Sequence, residues 1–352
     1  MENFKLKSIV LDKDGDLTLI GKSNGSVIAF NDPENVIIKF AELLDGNHTI
    51  TDIYERLSDD GFQLTKQVVI DILENIFKKN KLVYNSSDKY VLSKRDELKY
   101  NRLLTFYMSF DGVDFNQAQN MQQKLFDANV LILGVGGTGG HTAHSLIASG
   151  IRHMTLVDYD NVEITNVTRQ MLYDETNLGS LKISIAKDKL LKINPQADIN
   201  IINKEIITVD DVKDIINSNK YDFIINTMDE PRGEIRYTLD DALYKTGIPY
   251  IFDGSVGSRV VVGPTIKKGK TESYRELMPA KEINQTIRQF NKEHFITNVI
   301  EPMNGTVGQL TAYEVIKYIT GCSELATWGK RIELDMDHLE VHKYDYEKNH
   351  LQ

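Results

Sequence analysis

Hydrophobic positions are spaced differently in the two parts of the chain. From about residue 128 onward, short apolar runs alternate with segments of helical spacing. Buried strands that alternate with helices are typical of a parallel sheet. The segment GTVGQLTAYEVIKYITG predicts one further buried helix, and RIELDMDHLEVHKYDY predicts a closing antiparallel strand pair. The predicted strands are NVLILGV, MTLVDYD, INIINKEI, DFIINTMD, PYIFDGSV and RVVVGPT, and the predicted helices begin at Gly139, Leu181, Val209 and Glu234.

In the N-terminal part, strands come first and helices follow. The predicted strands are KLKSIVL, LTLI and SVIAF, with turn residues at Asp14-Gly15 and Asn24-Gly25. Helical spacing begins at Val36, and further helices are predicted after Thr51 and after Thr65. A small antiparallel sheet followed by three short helices is the expected result.

A wing completes this N-terminal part. The segment LVYNSSDKYVLS predicts two strands joined around Asn85-Ser86-Ser87. We therefore predict a winged-helix-like α+β domain at residues 1–95, followed by an α/β domain at residues 96–352. Residues 96–126 are polar and aromatic, and we interpret them as a connector at the start of the second domain.

The charge of the chain argues against some partners. It has 41 Lys and Arg against 51 Asp and Glu, a formal net charge of −10, without a long block of one sign. General binders of nucleic acid or of anionic membranes are usually basic. The opening MENFKLKSIVLDKDGD lacks the apolar core of a signal peptide, and no later run has the length that spans a bilayer. We expect a cytoplasmic protein with no nucleic-acid and no membrane partner.

Four glycines mark a candidate nucleotide site. Gly134, Gly136, Gly137 and Gly139 follow the apolar strand Val130–Leu133 and precede a predicted helix. A glycine turn between a strand and a helix lets the backbone approach a phosphate. The context predicts a Rossmann-like, mostly parallel sheet that binds a nucleotide at this turn.

Charged residues after the next strands narrow the choice of nucleotide. Asp158 ends the second strand of this domain, where an acidic side chain can bind ribose hydroxyls, so an NAD-dependent dehydrogenase remains open at this point. Arg169 and Lys182 follow, and two cations suit a triphosphate attacked at its α-phosphorus. Asp229 ends a later strand at the carboxyl edge of the sheet and is a candidate Mg²⁺ ligand.

The order of these residues resembles that of a known family. G-x-G-G-x-G, then D-x-D-x-V-x-x-x-N-x-x-R-Q, then a lysine, then an aspartate after a later strand is similar to the adenylation fold of ubiquitin-activating-like enzymes of the ThiF/MoeB type. The resemblance is closer to enzymes that mature peptides, of the microcin C and pantocin A types. It implies ATP and Mg²⁺, with these roles: Asp158 for the ribose, Asn166, Arg169 and Lys182 for the phosphates, Gln170 in the same motif, and Asp229 for magnesium.

A second likeness lies ahead of the glycine turn. The segment KYNRLLTFYMSF resembles the family's R-Y-x-R segment, which sends an arginine into the ATP site of the neighbouring subunit. The resemblance implies a homodimer with two composite sites, in which Arg102 acts in the partner's site. The implied catalytic residues are Arg102, Arg169, Lys182 and Asp229.

Two departures from the family limit its chemistry. Most relatives hold zinc with a pair of CxxC motifs, whereas KGKTESYREL has Ser273 and Arg275 where thiolates are expected. Cys322 is the only cysteine in the chain, and it follows the last predicted helix. We therefore expect no zinc and no thioester to the enzyme.

The substrate-side expectations also come from resemblance. The N-terminal domain is similar to domains that bind the leader of a ribosomally made precursor peptide as an added strand. A DNA-binding winged helix would need a basic recognition helix, and VVIDILENIFKK mixes both signs. Residues 267–299 are a candidate lid, in which Arg275 and Arg288 are candidate ligands of substrate carboxylates. Further candidates ahead of the last helix are Glu301, Asn304 and Gly305.

Together these features predict ATP- and Mg-dependent adenylation of a carboxylate on a precursor peptide, followed by nucleophilic capture of the acyl-adenylate. A microcin-like route from the C-terminal carboxylate and a pantocin-like condensation of a glutamate side chain both remain open. The first alternative is a non-catalytic nucleotide-fold partner that delivers the peptide to a separate enzyme. The second is an NAD-dependent dehydrogenase.

Overall fold

The computed structural model describes residues 3–7, 10–21, 26–85, 91–110, 112–279 and 298–345. Four features predicted above lie wholly or partly outside the described residues: the turn at Asn24-Gly25, the wing turn at Ser86-Ser87, the candidate lid at residues 267–299, and Arg288 within it. The chain forms two compact units, residues 1–123 and 124–352, so residues 96–123 group with the first unit. Among the described residues, no helix is both long and apolar enough to cross a membrane.

The first unit contains two small antiparallel sheets and six helices in its described residues. One sheet has the order β2-β3-β4 and the other the order β5-β1-β6. The third helix continues as a π-helical turn at Leu73–Lys78. The strands are β1 (Asn3–Leu6), β2 (Val10–Asp14), β3 (Leu17–Gly21), β4 (Val27–Asn31), β5 (Asp45–Thr49) and β6 (Val83–Asn85). The helices are α1 (Val36–Leu43), α2 (Ile50–Asp59), α3 (Lys66–Ile72), α4 (Lys94–Lys99), α5 (Asn101–Tyr107) and α6 (Phe115–Asp127), the last of which leads into the second unit.

Caps and aromatic packing fix the helices of the first unit. Thr49 and Asp52 form a reciprocal capping box at the start of α2, and the Thr65 hydroxyl accepts from the main chain of α3. Phe40 and Phe77 are fully buried and stack with ring centroids 5.1 Å apart. These contacts explain why the helices begin where the sequence predicts them, to within two residues.

Two predicted strands of the first unit pair differently from expectation. The segment KLKSIVL divides between β1 and β2, which belong to different sheets. Strand β6 pairs with β1, through Phe4 and Asn85 among others, rather than with a following strand among the described residues. Strand β5, with the sequence DGNHT, has no apolar alternation and was not predicted. It forms because β1 supplies backbone hydrogen bonds along its length.

The second unit is built on one eight-stranded sheet of order β14-β13-β12-β11-β10-β7-β8-β9. Strands β11, β10, β7, β8 and β9 are mutually parallel, and β12, β13 and β14 extend the sheet antiparallel. The strands are β7 (Asn129–Leu133), β8 (His153–Val157), β9 (Asp198–Ile202), β10 (Phe223–Asn226), β11 (Tyr250–Val256), β12 (Arg259–Ile266), β13 (Lys330–Asp335) and β14 (Glu340–Asp345). The predicted α/β class and the mostly parallel sheet are confirmed.

Helices cover this sheet. Helix α7 begins at Gly137, two residues before the predicted start, and packs closely on the last helix. A Cβ on Gly308 would lie 2.5 Å from the Cβ of His141, so glycine permits this close approach. The helices are α7 (Gly137–Ser149), α8 (Lys182–Ile193), α9 (Val209–Asn217), α10 (Ile235–Leu243), α11 (Tyr274–Leu277) and α12 (Glu301–Thr320).

Candidate active site at the carboxyl edge of the sheet

The glycine turn joins β7 to α7 in a very tight space. Gly134 has φ +90°, and a Cβ on Gly139 would lie 2.2 Å from the carbonyl oxygen of Gly134. A Cβ on Gly137 would lie 2.1 Å from Asn304 Nδ2. Gly136 precedes α7 without any side-chain cap. The first N–H groups of α7 are thus left for an anion, since a helix N-terminus favours negative charge.

The carboxylate of Asp158, the residue directly after β8, forms hydrogen bonds with the glycine turn. It accepts from the main-chain N–H of Val135 at 2.8 Å and from that of Asp160 at 2.9 Å. Burial raises the pKa of Asp158, and the two N–H donors and nearby Lys182 oppose the rise. The carboxylate therefore fixes the turn and keeps further acceptor capacity for hydroxyl groups.

Lys182 is the first residue of α8 and has a carboxylate partner. Its side chain is 7% exposed, and its ammonium group lies 2.7 Å from Asp160 Oδ2. The main-chain N–H of Lys182 donates to the carbonyl of Asp160 as well. Asp160 is two residues after Asp158, so the ion pair holds a buried cation close enough to Asp158 to act on it electrostatically. Phosphate oxygens would have to compete with Asp160 for this ammonium group.

The loop after β8 forms a compact turn that presents the next motif residues. Asn166 is buried and its Oδ1 accepts from the Glu163 main chain at 3.0 Å. The main-chain N–H groups of Arg169 and Gln170 both donate to the carbonyl of Asn166. Gln170 is buried, and its Oε1 accepts no hydrogen bond from the described residues. A buried amide oxygen without a partner is a candidate for contact with a ligand or water.

Arg169 is linked to the last helix. Its guanidinium donates to the carbonyl of Thr165, and its own carbonyl accepts from Asn304 Nδ2 at 3.0 Å. Asn304 thus contacts both Gly137 and the Arg169 main chain. Asn304 is a predicted candidate for contact with the substrate, and in the structure it joins the glycine turn to the loop after β8.

Asp229 lies in the most open part of the site. Its side chain is 73% exposed and lies 3.5 Å from Arg232. Thr227, two residues earlier, donates from its hydroxyl to the carbonyl of Gly134 at 2.8 Å, which ties the end of β10 to the glycine turn. No group of three or more His, Cys, Asp or Glu among the described residues could hold a metal alone. One carboxylate fits an Mg²⁺ that arrives with nucleotide phosphates, because Mg²⁺ commonly takes one or two protein carboxylates.

Asp253 is a site residue that was not predicted. It lies in the middle of β11, one residue beyond the part that pairs in parallel with β10, is 5% exposed, and accepts hydrogen bonds from the Thr311 and Thr138 hydroxyls. Burial raises its pKa to about 7, against the opposing effects of these hydroxyls and of Arg236. Its signal in the sequence is an aspartate inside the predicted strand PYIFDGSV, directly after the apolar residues 250–252.

Two residues predicted to be functional lie in surroundings that the sequence did not predict. Arg102 lies in the first unit, exposed on α5. Arg275, a candidate for substrate carboxylates, already forms a bidentate pair with Asp241, at 3.0 and 2.6 Å. Ser273, at the position expected for a thiolate, caps α11 in a reciprocal capping box with Glu276. This segment is therefore held by hydrogen bonds and an ion pair.

Known proteins share this architecture. The molybdopterin-synthase adenylyltransferase of Haemophilus influenzae is 30% identical over 227 residues, which are 64% of this chain and 85% of that protein. The crystal structure of Escherichia coli MccB with ATP is 26% identical, with a TM-score of 0.75, and covers 98% of this chain and 97% of that one. PaaA, at 22% identity and a TM-score of 0.74, shares the fold over 96% of this chain and 98% of its own.

The family resemblance seen in the motifs is confirmed. The model that describes the ThiF family matches residues 101–352, well over half of the chain. The chain belongs to the ThiF family, and its relatives support adenylyltransferase activity of the ThiF/MoeB type.

Proposed function

We propose that this protein uses Mg·ATP to adenylate a carboxylate on a ribosomally made precursor peptide, and that a nucleophile then captures the acyl-adenylate. The carrying observation is the uncapped N-terminus of α7 beside Asp158, with two cations after β8, Arg169 on the loop and Lys182 at the start of α8. This arrangement can bind a ribose and neutralise a triphosphate. An enzyme that only transferred hydride would not need the cations.

The chemistry follows from where charge develops. A carboxylate oxygen of the peptide attacks the α-phosphorus of ATP, a P–O bond to that oxygen forms, and the bond to pyrophosphate breaks. Negative charge grows on the phosphate oxygens, where the N–H groups of α7 and the Arg169 and Lys182 side chains would stabilise it. Asp229 would hold Mg²⁺ against the phosphates, and the metal would supply further neutralisation of the leaving pyrophosphate.

Precursor peptide as the substrate class is supported by the extent of the structural match. The Haemophilus relative aligns with 64% of the chain, whereas MccB aligns with 98%, including the first unit. MccB has been crystallised with AMPCPP and MccA, and with N-formylated MccA. A first unit shared with MccB supports a peptide substrate rather than the substrate of the molybdopterin-synthase adenylyltransferases. We propose that residues 1–95 hold the leader of the peptide.

The first unit has a cavity suited to this role. It has a volume of about 420 Å³ and lies among β1, β6 and residues 108–114. Its wall combines aromatic side chains, lysines and one carboxylate, Asp114. Burial lowers the pKa of Lys7, and Asp114 opposes this effect. Mixed apolar and cationic walls suit a peptide side chain with a neighbouring carboxylate. The residues that define its chemistry are Phe4, Lys7, Lys78, Lys81, Tyr84 and Phe110.

The test of the proposed activity is exchange of labelled pyrophosphate into ATP, with and without a peptide bearing a free carboxylate. We expect exchange that depends on both the peptide and Mg²⁺. Protein that is stabilised against heat by NAD and not by ATP would instead identify a dehydrogenase. Protein that binds ATP and peptide but never exchanges pyrophosphate would identify a delivery partner.

A matched pair of serines tests the role of the cavity. Ser109 lines it, and its hydroxyl donates to the carbonyl of Phe106 at 2.6 Å, while Ser58 on α2 makes the same kind of bond to Tyr54 at 2.9 Å away from the cavity. Ser109→Trp should fill the cavity and raise the KM for peptide about tenfold or more, with ATP affinity unchanged. Ser58→Trp should leave both unchanged. Equal KM values in the two variants would show that the cavity does not bind the peptide.

A further inference from the structure

The buried Asp253 lies at the same sheet edge as the nucleotide site and has no role in the function proposed above. Strands β10 and β11 are parallel with Asn226 opposite Phe252, so Asp253 is one residue beyond this pair. The residue directly after β10 is Thr227, which donates to the carbonyl of Gly134. The carboxyl of Asp253 therefore lies at the level where the glycine turn begins.

Three elements meet at this carboxyl. Oδ1 accepts from the hydroxyl of Thr138 at 3.3 Å, and Thr138 is the second residue of α7. Oδ2 accepts from the hydroxyl of Thr311 on α12 at 2.9 Å. Asp253 and Thr311 are buried, at 5% and 0% exposure. One carboxyl on β11 thus sets the distance between the sheet, the first turn of α7 and the middle of α12.

Among the described residues, no cation forms an ion pair with this carboxyl. Arg236 on α10 is the charged group that acts on it, but its guanidinium donates to the main-chain carbonyl of Asp253, at 3.3 Å. The titratable side chains on the helices packed here have other partners. On α7, His141 pairs with Glu301 of α12 at 3.0 Å and acts electrostatically on His144. Also on α12, Glu314 accepts from Thr327 and pairs with Lys317.

Two neutral hydroxyls compensate poorly for the loss of water around a carboxylate, so its uncharged form is favoured. The hydroxyl of Thr138 links the Asp253 carboxyl to the uncapped first turn of α7 by a hydrogen bond. A negative charge beneath that turn would repel the phosphates that the turn is suited to bind, whereas an uncharged carboxyl would not. The charge on Asp253 and the binding of a nucleotide are therefore opposed.

We propose that Asp253 is a positioning residue of the nucleotide site, that it acts on the glycine turn through Thr138, and that the nucleotide binds the form of the enzyme in which Asp253 is uncharged. The inference rests on the proposed ATP-binding function. It assigns to this chain a proton-linked step in ATP binding, with one proton taken up by Asp253 when the nucleotide binds to enzyme in which the residue is ionised.

The test compares the Kd for Mg·ATP of wild type and Asp253→Asn across about pH 6 to 8.5. Asparagine has the shape of the uncharged acid and cannot ionise. The wild-type Kd should rise about tenfold relative to the variant above neutral pH, the scale of a like-charge interaction several ångströms apart in a protein. The ionisation of the nucleotide is common to both proteins and cancels in the ratio. A ratio that does not change with pH would overturn the inference.

Thr138 provides a second test that does not depend on the folding of Asp253→Asn. Thr138→Val removes one hydrogen bond to the carboxyl, so the pH at which ATP affinity falls should move upward. Thr138→Ser keeps the hydroxyl and should restore the wild-type midpoint. Identical midpoints in the valine and serine variants would overturn the inference. Wild-type protein that binds no ATP at any pH would overturn the proposed function and this inference with it.

Discussion

The carboxyl edge of the large sheet has a sealed part and an open part. In the sealed part, Gly139 packs so closely on the Gly134 carbonyl that a Cβ would not fit between them, and Asp253 is 5% exposed. In the open part, the Asp229 side chain is 73% exposed and has one long ion pair. Asp229 follows β10, and Asp253 follows the part of β11 that pairs in parallel with β10. The difference comes from the helices α7 and α12, which cover Asp253 and leave Asp229 accessible. The sealed part fixes geometry, and the open part remains available for a ligand.

The largest expected effect tests the open part. Asp229→Asn keeps the shape of the side chain and removes its charge, so the rate of pyrophosphate exchange should fall on the order of 10² to 10³, the scale for losing one preorganised electrostatic group. Thermal stability should not change, because the side chain is exposed. Exchange kinetics and a melting curve measure the two quantities. A rate within about threefold of wild type would mean that Asp229 does not contact the metal.

The next effect tests the sealed part. Gly139→Ala places a Cβ against the main-chain oxygen of Gly134, which cannot move aside as a flexible side chain can, so the variant should lose about 3 kcal/mol of unfolding free energy. Gly140→Ala is the matched control, since its Cβ would lie at 3.4 Å from Leu172, an ordinary contact. It should be neutral or stabilising because alanine favours a helix. Urea unfolding that gave equal losses for both variants would contradict a sealed turn.

A third effect concerns the charge of the sealed part. Burial raises the folded-state pKa of Asp253 to about 7, whereas in the unfolded chain the residue ionises at its ordinary pKa of 3.8. Between these values the folded state binds the extra proton, so its stability should fall as the pH rises. The loss from Asp253 should be about 2 kcal/mol between about pH 5 and 6.5. Urea unfolding of wild type and Asp253→Asn at the two pH values measures it. Equal pH dependence of the two proteins would mean that Asp253 is not titrating.

The smallest expected effect tests whether Arg102 from a second copy of the chain completes the open part of the site. If Arg102 acts in the partner's site, mixing inactive Arg102→Ala with inactive Asp229→Ala should restore about a quarter of wild-type exchange. Half of the dimers are then mixed, and each has one intact site of two. Subunit exchange is followed independently with differently tagged copies. Mixed dimers without activity would show that Arg102 does not act in trans.

Much of the second unit is predictable because its signals are local. Apolar runs gave the positions of β7, β8 and β10, and the glycines before α7 placed the nucleotide turn. Asp253 was missed because its burial depends on Thr138 and Thr311, which are 115 and 58 residues away in the sequence. The predicted strand PYIFDGSV contains Asp253, but its spacing does not show that the helices α7 and α12 bury the carboxyl.

The pairing partners of charged side chains and of strands could not be predicted from the sequence for the same reason. Arg275 looked available for a substrate carboxylate, but Asp241, 34 residues earlier, already binds it in bidentate geometry. Strand β5 was missed because Asp45 to Thr49 are polar and depend on β1 for hydrogen bonds. Local spacing identifies elements and motifs, whereas the state of a charged group depends on neighbours that only the folded chain brings close.

The hydrogen-bonded segment around α11 has a consequence for handling the enzyme. Asp240 accepts from the main chain of Tyr274 at 2.7 Å and of Arg275 at 3.0 Å, and Ser273 caps the same helix. The resemblance described above implies that zinc holds this segment in most relatives. Here hydrogen bonds hold it, and a chelator does not remove hydrogen bonds. EDTA should therefore stop catalysis by removing magnesium while the melting temperature stays the same. Chelator titration becomes a direct assay of the metal in the reaction, free of any contribution from unfolding.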